Sequence, residues 1–329
     1  MMRWIAFFAA MAAFAPGDSA RADNSASEPP AEERVIVAAG EPTGVFLPEA
    51  GAICRIINKE LRRPNNILCL IEPTAGSIAN IALLRNKGAN AAIVQSNAAV
   101  AAAAGEGVFK EAGAFEGLRG LFSLHGESIL ILVHNESKID DPADLKGKKV
   151  NLGPEGGFQR FMSNAALEAL GLGGADLSEA LEFDPVRQTE ALCNHGIDAA
   201  IYSGVHPIAE AEEALGQCDV HPLLLDEGVL SAYVDANKTF SKIAIAPGLY
   251  QGIDQPIQTF GPRALFVATT NMSADSAYLL VKAIFDNHDS FRAMHPLLSD
   301  LDKKQMTSGT NAIPLHDGAQ KYYQEQKRP

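Results

Sequence analysis

Basic residues are in short supply, with 27 Lys and Arg against 40 Asp and Glu in 329 residues and a net charge of −13. Such a balance opposes adhesion to phosphate backbones or anionic lipid, so nucleic acid is not an expected partner. A buried pocket escapes that argument, because a few local donors can hold an anion inside an acidic protein. There is no Cys-x-x-Cys and no histidine pair at helical ligand spacing, which argues against a metal site. The Gly-x-Ser-x-Gly elbow, the His-Glu-x-x-His pair and any catalytic-cysteine motif are also missing, so an enzyme is the less favoured class. No later apolar run reaches the eighteen or so residues that a membrane span needs.

What is present reads as a globular chain. With 47% hydrophobic and 20% charged residues, disorder, collagen and coiled coil are excluded. The length predicts two domains or one large one. Arg3, the apolar run from Trp4 to Phe14 and the Ala20-Arg21-Ala22 pattern predict a signal peptide over residues 1–22, cleaved before Asp23. A soluble periplasmic protein is expected, beginning with a polar, Pro-rich, flexible segment over 23–34. The cysteines fall as Cys54 and Cys69, then Cys193 and Cys218. Two local disulfides fit an oxidising compartment, three pairings are open, and buried free thiols fit equally.

Strand, loop and helix alternate. Val35–Ala39, Ile67–Ile71 and Ala91–Val94 read as strands, with helices from Phe46 to Leu61, from Ser77 as N-cap, and over the alanine-rich stretch that follows Asn97. The pattern restarts with strands at 129–133 and 149–152, a helix from Phe158 to Leu170, a strand near 181–183, a helix at 188–194 and a strand at 199–202. Such alternation predicts an α/β architecture of parallel sheets covered on both faces. Ligands bind such sheets beyond the carboxyl ends of the strands. The loops Glu41–Phe46, Pro73–Ser77 and Gln95–Asn97 gather there. Gly153-Pro154-Glu155-Gly156-Gly157, opening a helix, reads as an anion cradle or as a plain tight turn. It lacks the Gly-Lys-Ser/Thr ending of a nucleotide loop and the Gly-x-Gly-x-x-Gly spacing of a dinucleotide site, and no cofactor is expected. Tyr202, Ser203 and His206 end a strand, where they line a cleft or serve as a core tyrosine and a surface histidine.

In order, the chain carries Thr43-Gly44-Val45-Phe46-Leu47-Pro48, Ala75-Gly76-Ser77-Ile78-Ala79-Asn80, Ala92-Ile93-Val94-Gln95-Ser96-Asn97, Asp144-Leu145-Lys146-Gly147-Lys148-Lys149-Val150, Gly196-Ile197-Asp198-Ala199 and Pro314-Leu315-His316-Asp317-Gly318-Ala319, with Tyr322-Tyr323 behind. The ordered set resembles the TAXI-type solute receptors of tripartite ATP-independent periplasmic (TRAP) transporters. The resemblance implies a two-lobed type II periplasmic-binding-protein fold: lobe 1 over 33–127 plus 266–329, lobe 2 over 128–265, joined by crossover strands near Glu127 and Ala264–Phe266. It also implies a monomer that does no chemistry, captures glutamate, glutamine, 2-oxoglutarate or a related carboxylate by lobe closure, and delivers it to a sodium-driven membrane permease. A periplasmic sensor docking on a signalling receptor is the competing role.

The ligand's carboxylate is expected on the N–H groups of Gly157 and Phe158 beside Gly156, with Gln159 as a side-chain donor and Arg160 as the nearest cation. Thr43, Gly44, Val45, Phe46, Ser77, Gln95, Ser96 and Asn97 would line the first lobe. Glu127 would accept from an ammonium or pair with Arg263. Where the family often reads Gly-Gly-Val-Tyr-Tyr-Pro and Gly-Ser-Gly-Thr, this chain has Phe46-Leu47 and Gly156-Gly157-Phe158-Gln159. Those lost hydroxyls, with Phe46 and Phe158, suggest a partly apolar organic acid.

Overall fold

The computed structural model describes residues 1, 32–42, 44–155 and 158–327. The signal-peptide segment, Thr43, Gly156 and Gly157 lie outside the described residues. In chain order the first elements are β1 (Glu33–Ala38), α1 (Phe46–Glu60), β2 (Ile67–Glu72), α2 (Ser77–Arg85), β3 (Ala91–Gln95), α3 (Ser96–Ala104) and β4 (Leu118–Gly126). There follow β5 (Ser128–His134), β6 (Lys149–Asn151), α4 (Phe158–Ala169), β7 (Glu179–Leu181), α5 (Pro185–Cys193), β8 (Ala199–Gly204), α6 (Ala209–Gln217), β9 (Val220–Pro222) and α7 (Glu227–Ala236). The chain ends through β10 (Ser241–Ile245), β11 (Ile257–Gly261), β12 (Arg263–Thr269), α8 (Ala274–Asp286), α9 (His288–Arg292), α10 (Lys303–Ser308) and α11 (Asp317–Gln326).

Two five-stranded sheets share one plan. The first runs β2-β1-β3-β12-β4 and the second β7-β6-β8-β5-β9, with β10 and β11 forming a separate hairpin. In the first sheet β1 pairs in parallel with β2 and β3, while β12 runs antiparallel to β3 and β4. In the second, β6 pairs in parallel with β7 and β8, and β5 is antiparallel to β8 and β9. The apolar positions of α1 recur as Phe46, Ala50, Ile53, Cys54 and Ile57, all buried. This is the stripe a helix needs to cover a sheet. They join α8 and α11 on one face of the first sheet, while Ile81, Leu84 and Ala99 of α2 and α3 cover the other.

Four boundaries shift from their sequence expectation. Gly76, at φ +98°, takes the N-cap of α2, so Ser77 becomes its first residue. The helix expected from Gln188 starts at Pro185, because Asp184 caps it by accepting from the Arg187 N–H. That start forces β7 to end at Leu181. The Asn151 amide replaces the missing ladder by pairing with both backbone groups of Phe183. At the amino end, β1 begins at Glu33, inside the segment expected to be flexible.

The crossings position everything that follows. Gly126 ends β4 at the carboxyl edge of the first sheet, and Ser128 opens β5 opposite Gly204 at the carboxyl edge of the second. Glu127 alone separates them, so the two edges meet. The return strand lies alongside: the Glu127 N–H donates to Pro262 O at 3.0 Å. A Cβ on Gly261 would stand 1.6 Å from Glu127 O, so only glycine fits there.

Cys54 is bonded to Cys69, tying α1 to β2, and Cys193 to Cys218, tying α5 to the end of α6. Among the described residues no helix is long and apolar enough to cross a membrane. Replacing Cys54 and Cys69 together by alanine is expected to lower unfolding stability by about 3 kcal/mol, from the loop closed over a separation of 15 residues. Urea unfolding of the oxidised protein measures it; a loss below about 1 kcal/mol would show that helix packing alone fixes this corner.

Candidate functional site

The first-lobe loops are laced together by buried side chains. Asn80 is fully buried; its Nδ2 donates to Ala39 O and Ile93 O, and its Oδ1 accepts from Thr74 Oγ1. Freed from capping, Ser77 Oγ accepts the Gln95 N–H at 3.0 Å. Gln95 Nε2 then donates to Glu127 Oε1 at 2.6 Å. Ser96 Oγ links the two halves, donating to Thr239 O at 2.6 Å and accepting the Arg263 N–H at 3.1 Å. These contacts set Gln95 and Ser96 at the crossing with little freedom left.

Beside them lies a buried charge cluster. His125 and Glu127 are two apart in extended chain and share a side. His125 Nδ1 stands 2.6 Å from Glu49 Oε1, with the Glu49 side chain wholly buried, and His125 Nε2 stands 3.8 Å from Glu127 Oε1. Burial disfavours the imidazolium, but the Glu49 and Glu127 carboxylates more than offset this and lift His125 to about 9. His125 is therefore a cation at neutral pH. Arg263, 5% exposed, is lowered to about 10 by burial and stays charged. Its Nη2 donates to Leu124 O at 2.6 Å, and among the described residues it makes no ion pair with Glu127, the alternative that the sequence left open for that carboxylate.

A cavity of about 450 Å³ opens at this crossing, with one wall from each sheet's side. His125, Gly126, Arg263, Leu297, Leu301 and Gln305 form the first wall. Ser128, His206, Ile243, Ile245 and Leu249 form the second. Ligand pockets fall in this size range. Three polar atoms of the lining residues, His125 Nε2, Ser128 Oγ and Arg263 Nε, are buried without a hydrogen-bond partner among the described residues. Glu49 Oε2, behind His125, is also unpartnered. His206 is neutral, since burial lowers it to about 4. Because Ser128 O can only accept, at 3.3 Å, Nε2 carries the proton and Nδ1 accepts from Tyr250 Oη at 2.6 Å.

The residues singled out in sequence divide among three places. Ser77, Gln95, Ser96 and Glu127 meet at the crossing, and His206 lines the cavity. Asn97 accepts from the Ala98 N–H beside them. Gly44, whose N–H donates to Glu41 O, and Val45, the N-cap of α1, form the turn into that helix. Others turn inward. Phe46 is 8% exposed in the first core, and Phe158 packs on the second, so neither ring supplies the apolar wall expected of it. Tyr202 is a core tyrosine, 1% exposed, bonded to Thr189 Oγ1 at 2.9 Å and raised to about 12 by burial. Gln159 Nε2 donates to Gln188 Oε1 and Ile201 O, and Gly153, at φ +80°, leaves room for that side chain. Arg160 donates to Gly153 O and Glu182 Oε1. Ser203 Oγ is buried and has no hydrogen-bond partner among the described residues. Sequence reasoning passed over Glu49, Asn80, His125 and Ser128; the His125 and Glu127 spacing was the available signal.

The model of the NMT1-like family matches residues 37–326. In structure the chain is similar to the putative sulfonate ABC transporter periplasmic sulfonate-binding protein SsuA from Methylobacillus flagellatus KT, with a TM-score of 0.51 at 13% identity, over 89% of this chain and 84% of that one. It is also similar to the periplasmic aliphatic sulphonate binding protein SsuA from Escherichia coli, with a TM-score of 0.45 at 16% identity, over 90% and 88% of the two chains. The fold is thus the two-lobed α/β fold of periplasmic binding proteins, as the sequence predicts.

The charge cluster makes stability pH-dependent with a definite sign. A histidine raised from 6.5 to about 9 contributes in full below pH 6.5, and that contribution vanishes as pH climbs through 9. The melting temperature is expected to fall across this window, and His125→Gln to flatten the fall. Calorimetry at stepped pH checks it; identical profiles for the two proteins would remove the ion pair from the account.

Proposed function

The chain belongs to the NMT1-like family, and we propose that it acts there as a solute-binding receptor that hands a small organic anion to a membrane transporter. One observation carries the reading: in a protein of net charge −13, two buried cations with unpaired N–H groups, His125 and Arg263, line a cavity between the sheets. Buried donors without partners are costly, and an anionic ligand supplies the missing acceptors. The fold supports the same role. A ligand touching both walls binds a closed arrangement better than an open one, so it shifts the population toward closure, and a permease needs to recognise only the closed surface.

Within this reading the rigid units are residues 33–127 with 266–329 and residues 128–265, hinged at Glu127 and at the return strand. The anion is a carboxylate, and the transporter is of the TRAP type, with the receptor resembling the TAXI class. Support for this finer reading is the ordered set of sequence motifs. A cleaved leader and a periplasmic site of action belong to the same proposal, as does a monomeric receptor. The solved relatives are described as sulfonate-binding, so sulfonates belong in the panel of trial ligands.

Thermal unfolding of the refolded protein, with carboxylates, amino acids, keto acids, sulfonates and phosphonates added singly, tests the proposal. A true ligand at one hundred times its Kd should add about 2.7 kcal/mol of stability, and Arg263→Gln should abolish that gain. A panel in which only cations or neutral sugars stabilise the protein would end the organic-anion reading. Uptake into vesicles carrying the cognate permease separates the transporter types: a sodium gradient should drive it, whereas uptake that needs ATP and ignores sodium would overturn the TRAP assignment.

A further inference from the structure

We infer that the cavity at the crossing holds a monoanionic organic acid with an apolar tail, its oxyanion head at His125, Ser128 and Arg263 and its tail between Leu249 and Leu297. The inference rests on the solute-receptor reading and narrows it, because it places the ligand away from the Gly153–Phe158 loop and against the most polar dianions. The cavity is asymmetric. Polar atoms that make no hydrogen bond among the described residues belong to three lining residues, each at least nine-tenths buried: His125 Nε2, which stands 3.8 Å from Glu127, Arg263 Nε and Ser128 Oγ. Arg263 has spare capacity too, since Nη2 is its one atom with a side-chain hydrogen bond among the described residues. The rest of the wall is mostly apolar, with Ile243, Ile245, Leu249, Leu297 and Leu301.

Charge in the wall sets how many anionic groups fit. His125 is claimed by Glu49 at Nδ1 and stands 3.8 Å from Glu127 at Nε2, so Arg263 is the cation left to answer a ligand and the seat takes about one negative charge. Both ring nitrogens of His206 are engaged, by Tyr250 Oη and Ser128 O, and that ring is neutral. The other charged side chain of the lining is Asp300, which repels a second carboxylate. A dianion would thus leave one charge unpaired in a partly desolvated space, which is heavily disfavoured. Methylenes against the leucine and isoleucine wall gain from burial instead. Phe46 and Phe158 are not part of this wall: Phe46 packs in the first core, and Phe158, partly buried, packs against the second.

Calorimetric titration of the refolded protein tests the inference with butyrate, hexanoate and octanoate, the matching alkanesulfonates, glutamate and 2-oxoglutarate. Affinity should climb about fourfold per added methylene until the wall is covered. Leu297→Asn, at a half-buried position, should cost octanoate roughly tenfold while leaving butyrate nearly unchanged. Arg263→Gln should weaken every member of the series, and Ser128→Ala should do so more mildly should the arginine variant fail to fold. A preference for either head group upholds the inference and names the head. Affinity that does not depend on chain length overturns it. So does binding of glutamate or 2-oxoglutarate with silence from the alkyl acids, an outcome that leaves the receptor reading standing. If nothing in the titration binds the folded protein, the inference falls, and the wider thermal panel decides the receptor reading separately.

Discussion

Everything in this molecule turns on passing the chain twice between two sheets through a seam too narrow for side chains and yet full of charge. Gly261 and Glu127 touch backbone to backbone there, and the seam admits Glu49, His125, Glu127 and Arg263 within a few residues of one another. Each buried charge costs several kcal/mol to desolvate, so the seam is tenable only while the charges answer one another. His125 answers Glu49, Gln95 donates to Glu127, and Arg263 leans on the Leu124 carbonyl. These polar contacts are directional where apolar packing would not be. They hold the two carboxyl edges in register, which a slack hydrophobic joint between two sheets could not do.

On the proposed receptor reading, the same seam would shape lobe closure. Ser96 bridges the first-sheet helix α3 to Thr239 on the far side and also receives the Arg263 N–H. A bridge of this kind is worth about 1 kcal/mol net, enough to bias two arrangements of the lobes without locking either. A ligand that completes the bonds of His125, Ser128 and Arg263 adds a larger bias in the same place. The proposed hinge, latch and binding seat are therefore neighbours, so a change at one should be felt at the others.

The fold was legible because its signals are local. Val35 to Val37 and Ala91 to Val94 are short apolar runs between turns, and α1 repeats its apolar residues at helical spacing, so each element could be placed within a few residues. Where boundaries moved, a local rule had been overlooked, as with the Asp184-Pro185 start of α5. The site was less legible because its meaning is tertiary. Glu49 reads as an ordinary first-turn acid of an amphipathic helix until His125, 76 residues later, is laid on it. Phe46, Gln159 and Arg160 follow ligand-like loops, yet one or two helical steps rotate them into a core, a Gln188 contact and a Glu182 ion pair. Proximity in sequence to a loop does not fix direction in space.

The proposal that an acidic protein seats an anion meets no contradiction once distance is considered. Surface carboxylates repel an approaching anion, but salt screens that field within about 8 Å at physiological ionic strength. The repulsion therefore slows encounter more than it weakens the complex. Inside the seam the dielectric is lower and the partners are fixed; Glu49 and Glu127 answer His125, which leaves the Arg263 guanidinium as the charge that would attract an anion. The surrounding acidity also has a use at the site itself. Glu49 and Glu127 keep His125 protonated at neutral pH, turning a residue that would otherwise be neutral when buried into a donor with charge. Carboxylates on either side of the ring thus hold His125 as a charged donor in the cavity wall, while Arg263 supplies the positive charge that they do not cancel.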